Sequence, residues 1–479
     1  MIFNSIEFLI FLISIFFLYW VFKKNNTIQN IIILSSSYLF YGWWDWRFLF
    51  LILASTVVDY FVGLRIGKTK SDSGRITLLW ISILFNLGIL GFFKYFNFFI
   101  DSWVDILSIF GYELESKWTL NIILPVGISF YTFQTMSYCL DIYYKKIEPN
   151  NDFIAFAAFV SFFPQLVAGP IERAANLLPQ FLSKREFKYE QGVSGLRLIL
   201  WGMFKKVVIA DSLASRVNYP FEYFDVVDGG VLLLGLIYFA FQIYCDFSGY
   251  SDIAIGTAKL FGIEIITNFN YPFFSRDIAE FWRRWHISLS DWFKDYLYMP
   301  VLIRCRNFGM MGILFSTLIC YTVIGLWHGA NNTFIVFGII HSLFFFPIII
   351  FKKKPHKYKF FESKNVFDKF KDVLFAIKTF LYFSLSLVFF RSQTVSDAAS
   401  YLLLMIKNFT IPIENRSGII YILIVMIFEC LFLLYKIGPR NPLNFPNKYA
   451  RFILYIFLLY LIFSHFQFVD LSQFIYFQF

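Results

Sequence analysis

Charge is scarce in this 479-residue chain: 15% of its residues are Asp, Glu, Lys or Arg, against about a quarter in an average soluble domain. Cysteine is scarcer still. The five thiols (Cys139, Cys245, Cys305, Cys320, Cys430) stand far apart with no CxxC pair, which argues against a zinc site and a disulfide framework. There is no HExxH, no phosphate-binding loop, no dinucleotide fingerprint and no GxSxG elbow, and neither Gly127-Ile128-Ser129 nor Ser248-Gly249 completes the last. A metal held by His286 and His328 needs a carboxylate such as Asp291, and no spacing specifies one. The first residues, MIFNSIEFLI, lack the basic flank and cleavage site of a signal peptide and read as a retained first span.

What the chain does have is apolar surface. Hydrophobic residues make up 58% and aromatics 23%, with 67 Phe, 29 Tyr and 12 Trp. No water-soluble globule of this size hides so many rings behind so few charges, and long apolar runs are what a lipid-facing helix requires. The expected class is an all-α polytopic membrane protein read as one domain over 1–479. Runs suggest spans near 6–22, 28–44, 48–64, 76–93, 121–140, 153–169, 193–215, 230–246, 311–327, 332–351, 373–390, 418–435 and 452–468. The aromatic stretches 95–110 and 396–410 are candidates for interfacial or re-entrant segments.

The net charge of +10 does not point to nucleic acid, because basic residues gather in short loops between runs. The loop from Lys352 to Lys378 carries nine lysines against Glu362, Asp368 and Asp372, and is expected to face the cytoplasm. Lys23-Lys24, Arg65 to Arg75, Lys184 to Lys188, Arg276 to Arg306 and Lys436 to Arg451 vote for the same side, so both termini are expected on the outer face of the membrane.

Three stretches are too polar for plain lipid-facing helices, and polar groups at membrane depth mark function by default. Phe162 to Phe181 contains Pro164, Pro170 and a Glu172-Arg173 pair; it must line a cavity or leave the bilayer, or else be a kinked helix followed by a loop. Tyr244 to Pro300 carries Asp246, Ser248, Ser251 and Asp252. From Arg276 it reads as an amphipathic interfacial helix, with Phe281, Trp282, Trp285, Trp292 and Phe293 on one side and Arg283, Arg284 and Lys294 on others. That helix accounts for everything in the run except His286. Ile324 to Asn332 places His328 at a helix end or break, where Gly325, Gly329 and Ala330 leave room for a substrate beside the ring. A neutral buried imidazole there can accept a proton; the alternative is a histidine bonded to a backbone carbonyl. His341 and His465 read as structural, and His356 as solvated. These features alone do not separate an enzyme from a transporter.

The runs FWRRWHISLSDW (281–292) and GLWHGANNTFIVFGIIHS (325–342) resemble the membrane-bound O-acyltransferase superfamily. PVGISFYTFQTMSYCLDIYY (125–144), FFPQLVAGPIERAANLLPQF (162–181) and YCDFSGYSDIAIGTAKLFGI (244–263) are similar to its bacterial branch, which holds alginate and peptidoglycan O-acetylases and the teichoic acid D-alanylation membrane protein. The likeness runs from YLFYGWWDWRF (38–48) to the last residue. It implies a ring of tilted spans with re-entrant segments around a thin catalytic centre, in the cytoplasmic membrane of a bacterium. It implies His328 as the catalytic base and His286 as an assisting residue, with acetyl-CoA as donor substrate and no permanent cofactor. FIYFQF (474–479) resembles the aromatic acyl-transfer motif of related envelope systems, which makes Tyr476 the candidate acyl carrier; on composition alone it is equally an interfacial anchor. The resemblance further implies a polysaccharide acceptor and an extracytoplasmic SGNH-type acetyltransferase as partner. A teichoic acid D-alanyl transferase and a non-catalytic transporter or export subunit are the rival readings.

Overall fold

The protein is described here from a computed structural model covering residues 1–112, 119–353, 360, 362, 365–466 and 474–475. All regular structure among these residues is helical, so the all-α polytopic class holds. Among the described residues, eight helical stretches are long and apolar enough to cross a membrane: Asn26–Lys68, Asp72–Ile109, Gly229–Leu260, Arg306–His328, Asn332–Ile350, Val366–Arg391, Arg416–Leu434 and Lys448–His465.

That set differs from the thirteen expected runs for physical reasons. The runs 28–44 and 48–64 form one stretch interrupted by a 3₁₀ turn at Trp46–Phe48. The aromatic segment 95–110 continues the preceding helix through a π turn at Gly91–Tyr95. The run 121–140 becomes Ile128–Tyr143, buried from Ile128 through Ile142, and 153–169 breaks after Phe153–Val160. Their apolar side chains meet protein rather than lipid, and composition cannot distinguish the two solvents.

Two compact units divide the described chain: Met1–Gly195 with Ala254–Ile266, and Leu196–Ile253 with Thr267–Phe479. In the first, helices Leu49–Lys68, Asp72–Leu90 and Ile128–Tyr143 pack around buried Asp59. Its carboxylate accepts from Ser82 Oγ at 2.6 Å and Asn86 Nδ2 at 2.8 Å, and Ser55 Oγ donates to Asn86 Oδ1 at 2.6 Å. Buried polar groups persist in such an environment only when bonded in this way. The stretch 162–181 also lies in this unit. Pro164 sits in the first turn of the short helix Phe163–Leu166, where a missing N–H costs nothing, and a non-helical link through Pro170 leads to Ala174–Leu182. Glu172 accepts the Ile266 N–H. This is the broken helix and loop of the plainer expectation, held inside the protein.

The second unit contains the functional candidates. Asp246, Ser248, Ser251 and Asp252, which look isolated in sequence, lie on Gly229–Leu260. A neighbouring π segment, Phe204–Ala210, supplies partners for Asp246, Ser248 and Asp252. Lys205 Nζ lies 2.8 Å from both Asp252 Oδ2 and Ser248 Oγ; Lys206 Nζ lies 2.6 Å from Asp246 Oδ1 and 2.9 Å from Asp211 Oδ1. Close approach makes this possible: a Cβ on Gly202 would come within 2.5 Å of the Gly249 carbonyl oxygen.

The expected interfacial helix after Arg276 is overturned. The chain instead forms Ile278–Trp282, a break, Ile287–Phe293, a π turn at Lys294–Tyr298, and Met299–Arg304. Phe281, Trp282, Trp285, Trp292 and Phe293 are all buried. A tryptophan-rich face reads alike whether it meets headgroups or other side chains, and here it meets side chains.

Candidate active site

His286 stands at the break, immediately before Ile287–Phe293, in the left-handed region (φ 43°, ψ 54°). The segment 268–270 runs beside it: the Asn270 N–H donates to Arg284 O and the Ile287 N–H to Asn268 O, both at 2.9 Å. This pairing brings the Asn268 side chain to the imidazole. Asn268 Oδ1 accepts the Ser288 backbone N–H at 3.3 Å and Ser288 Oγ at 2.9 Å, and lies 3.1 Å from His286 Nδ1. A backbone N–H can only donate, so the atom it meets is the amide oxygen, and His286 Nδ1 must carry a proton. The other amide group agrees, since Asn268 Nδ2 donates to Ser251 Oγ at 3.2 Å.

The consequence is a fixed tautomer. Nε2 of His286 is left with its lone pair, buried and without a hydrogen-bond partner among the described residues. Burial pushes this imidazole down from its usual 6.5 to about 3, so the ring is neutral.

His328 is the last residue of the helix Gly309–His328. The chain then turns extended at Gly329 (φ −165°), and Asn331 caps the next helix by accepting the Thr333 N–H at 3.0 Å. The helix break expected at the WHG motif is therefore present. The His328 ring is buried against Trp327 (centroids 5.0 Å), Phe390 (5.1 Å) and Phe337 (6.0 Å). Trp327 also meets His286 at 5.8 Å, so one indole contacts both histidines despite the 42 residues between them.

The glycines of this motif do something other than expected. A Cβ on Gly325 would lie 2.1 Å from the Phe334 carbonyl oxygen, and one on Gly329 would lie 2.1 Å from the Phe334 ring. The space that was assigned to a substrate is filled by the following helix, and the glycines serve the packing of the helical pair.

His341, read as structural, has both nitrogens engaged. Trp282 Nε1–H donates to Nδ1 at 3.2 Å, and Nε2 lies 3.0 Å from Ser386 Oγ, whose own proton goes to Phe383 O at 2.6 Å. His465 Nδ1 lies 3.0 Å from both Ser464 Oγ and Leu461 O. His356 and Tyr476 lie outside the described residues. Among the described residues no three His, Cys, Asp or Glu side chains converge as a metal cage requires.

A cavity of about 580 Å³ opens beside the break. Trp282, Ile287, Tyr321 and Ile324 wall it, and Arg283 and Lys294 bring positive charge against one acid, Asp291. Its lining thus includes the residue after His286 and a residue one helical turn before His328. On the opposite flank of His286, Phe247 places its ring edge-on to the imidazole at 4.6 Å, and Phe474 packs on Phe247 (5.6 Å) and stacks on Tyr250 (4.8 Å).

The arrangement supplies a neutral, oriented proton acceptor, a second histidine against the same indole, and an apolar cavity with a cationic component. Asn268, Ser288, Lys205 and Lys206 are missing from any reading of the sequence by motif. For Asn268 and Ser288 the one signal is polarity inside a stretch already too polar for lipid, whereas Lys205 and Lys206 are a charged pair inside the expected span 193–215. Replacing Asn268 with alanine leaves His286 Nδ1–H and Ser288 N–H without their acceptor. At ~1–3 kcal/mol for a buried donor left unmade, turnover is expected to fall about 10- to 100-fold. Asn268→Asp, which keeps the acceptor oxygen, should recover much of it, and a steady-state assay of the three proteins checks this.

Comparison with known proteins agrees with the geometry. Residues 31–390 match the model of MBOAT, the membrane-bound O-acyltransferase family. The chain is 41% identical over 351 residues to the probable alginate O-acetylase AlgI of Azotobacter vinelandii, covering 71% of this chain and 67% of that one. It is 32% identical over 421 residues to the peptidoglycan O-acetyltransferase of Helicobacter pylori, covering 81% and 75%. A teichoic acid D-alanyltransferase of Streptococcus thermophilus matches at 29% over 259 residues, 51% of this chain and 62% of that one. With three quarters of its length under that model and its two histidines gathered at one indole, the chain belongs to the membrane-bound O-acyltransferase family and is an acyltransferase.

Proposed function

We propose that this protein is an O-acetyltransferase of a bacterial cytoplasmic membrane, taking acetyl from cytoplasmic acetyl-CoA for O-acetylation of a cell-envelope or extracellular polysaccharide. The observation that carries the reading is the meeting of His286 and His328 on Trp327 beside the cavity. The relatives named as alginate and peptidoglycan O-acetylating enzymes support the acceptor class. The D-alanyltransferase match covers less of the chain at lower identity and favours that alternative less.

In this reading the cavity receives the thioester end of acetyl-CoA, with Arg283 and Lys294 drawing its phosphates. A thioester is already activated, so the protein has to deprotonate a hydroxyl and hold the charge that develops. His328 takes the hydroxyl proton, the oxygen attacks the thioester carbonyl, the C–S bond breaks, and the proton passes to the departing thiolate. His286 cannot act as a donor through Nε2, because its proton is committed to Asn268. The hydroxyl has one proton and gives it to His328, so His286 assists by packing Trp327 against the base.

Tyr476 is the proposed first acceptor. A tyrosyl ester leaves more readily than an alkyl ester, so it can pass acetyl on to a sugar. In this reading a separate SGNH-type acetyltransferase on the outer face, the side to which both termini are assigned by the positive-inside rule, completes the transfer. The test is intact-protein mass spectrometry after incubation with acetyl-CoA, beside His328→Ala and Tyr476→Phe. One added acetyl group in the unsubstituted protein, absent from both variants, is the expected result. An adduct that survives Tyr476→Phe removes the tyrosine from the mechanism.

A further inference from the structure

Asp246 is a buried carboxylate whose two oxygens point to different tasks. Oδ1 lies 2.6 Å from Lys206 Nζ, which also holds Asp211. Oδ2 accepts the backbone N–H of Ile475 at 2.7 Å, across 229 residues of sequence. Phe474, just before it, is buried on Tyr250, one turn along the same helix from Asp246, and on Phe247, whose ring edge meets His286. A single helical turn, Asp246 to Tyr250, therefore touches both the catalytic imidazole and the segment at 474–475.

We infer that Asp246, held in place by Lys206, is a positioning residue that docks the main chain at Ile475 and so anchors Phe474 and Ile475, the residues just before Tyr476, on the helix whose Phe247 meets His286. An N–H donated to a carboxylate is among the stronger hydrogen bonds, and stronger again where water is excluded. The contact at 475 is to the backbone and tolerates any non-proline side chain there, whereas stacking on Tyr250 demands a flat ring at 474. The clamp thus fixes register: an aromatic, then a main-chain anchor, with Tyr476 next in sequence. Lys206 keeps the carboxylate aimed, and its hold on Asp211 ties the clamp to the neighbouring helix. The role assigned to the clamp rests on Tyr476 being the acyl carrier, but the docking itself does not.

Hydrogen–deuterium exchange read at the Ile475 amide tests the docking directly. The amide should be protected in the unsubstituted protein and exchange at least ten times faster in Asp246→Ala, while amides within Gly229–Leu260 stay protected. Asp246→Asn, which keeps an oxygen acceptor, should retain part of the protection. If Asp246→Ala does not fold, Phe474→Ala leaves both ion pairs intact and should loosen the same amide. Acetyl-adduct formation should fall at least tenfold in each loosened variant, and the Asp246→Ala/Phe474→Ala double variant should be no worse than the poorer single one. Unchanged exchange in Asp246→Ala overturns the clamp. Faster exchange with full adduct formation, or losses that multiply in the double variant, overturns its positioning role. An adduct surviving Tyr476→Phe with Ile475 still protected sinks the carrier reading alone.

Discussion

His328→Ala should cut acetyl transfer by about two to four orders of magnitude, the range general-base catalysis commonly supplies, while the protein still inserts and purifies as before. The ring lies at the end of its helix, buried against Trp327, Phe337 and Phe390. His286→Ala should lower the rate less, by roughly one to two orders, because it removes the ring packed on Trp327 and the buried hydrogen bond to Asn268. The measurement is turnover of labelled acetyl-CoA into hydroxylamine-labile product by each purified variant. Retention of more than a tenth of the activity by His328→Ala, with loss in His286→Ala, would transfer the base to His286, whose Nε2 already carries a lone pair.

Lys206→Met should be the most destabilising single change among these ion pairs. It strips the cation from Asp246 and Asp211 together, two carboxylates with side chains 3% and 23% exposed. Removing one member of a buried pair costs about 3–5 kcal/mol, because the partner stays behind uncompensated. A large fall in the unfolding temperature in detergent is the expected reading. Neutralising the stranded acids as well, in Lys206→Met/Asp246→Asn/Asp211→Asn, should restore much of it, since an apolar or neutral replacement of a whole buried pair is often harmless. An unfolding temperature unmoved by Lys206→Met would mean that the pair contributes nothing to holding these helices.

The class of the fold was legible because hydropathy is a property of each run by itself. The same is true of the break at His328, announced by Gly329 and Asn331. The span count was not legible: the expected run 121–140 overlaps Ile128–Tyr143, whose Thr132, Gln134 and Asp141 are buried within protein. The tryptophans of 281–292 failed for the same reason. Asp246 and Asp252 were flagged as out of place, but their partners lie about forty residues away and only the helix crossing at Gly202 and Gly249 pairs them. Asn268 had no pattern at all. Its role comes from a main-chain pairing with 284–287 that no local periodicity encodes.

The charge pairs between Phe204–Ala210 and Gly229–Leu260 bear on how the polypeptide enters the bilayer during synthesis. Each lysine or aspartate carried alone into the middle of a membrane costs about 2.5–3.5 kcal/mol at the insertion machinery. Lys205 and Lys206 emerge from the ribosome before Asp246 and Asp252, and neither helix reaches its cheapest state until the other arrives. Paired across the two helices, these charges cost less at membrane depth than either helix would pay alone, so Gly229–Leu260 is expected to settle most cheaply with Phe204–Ala210 beside it.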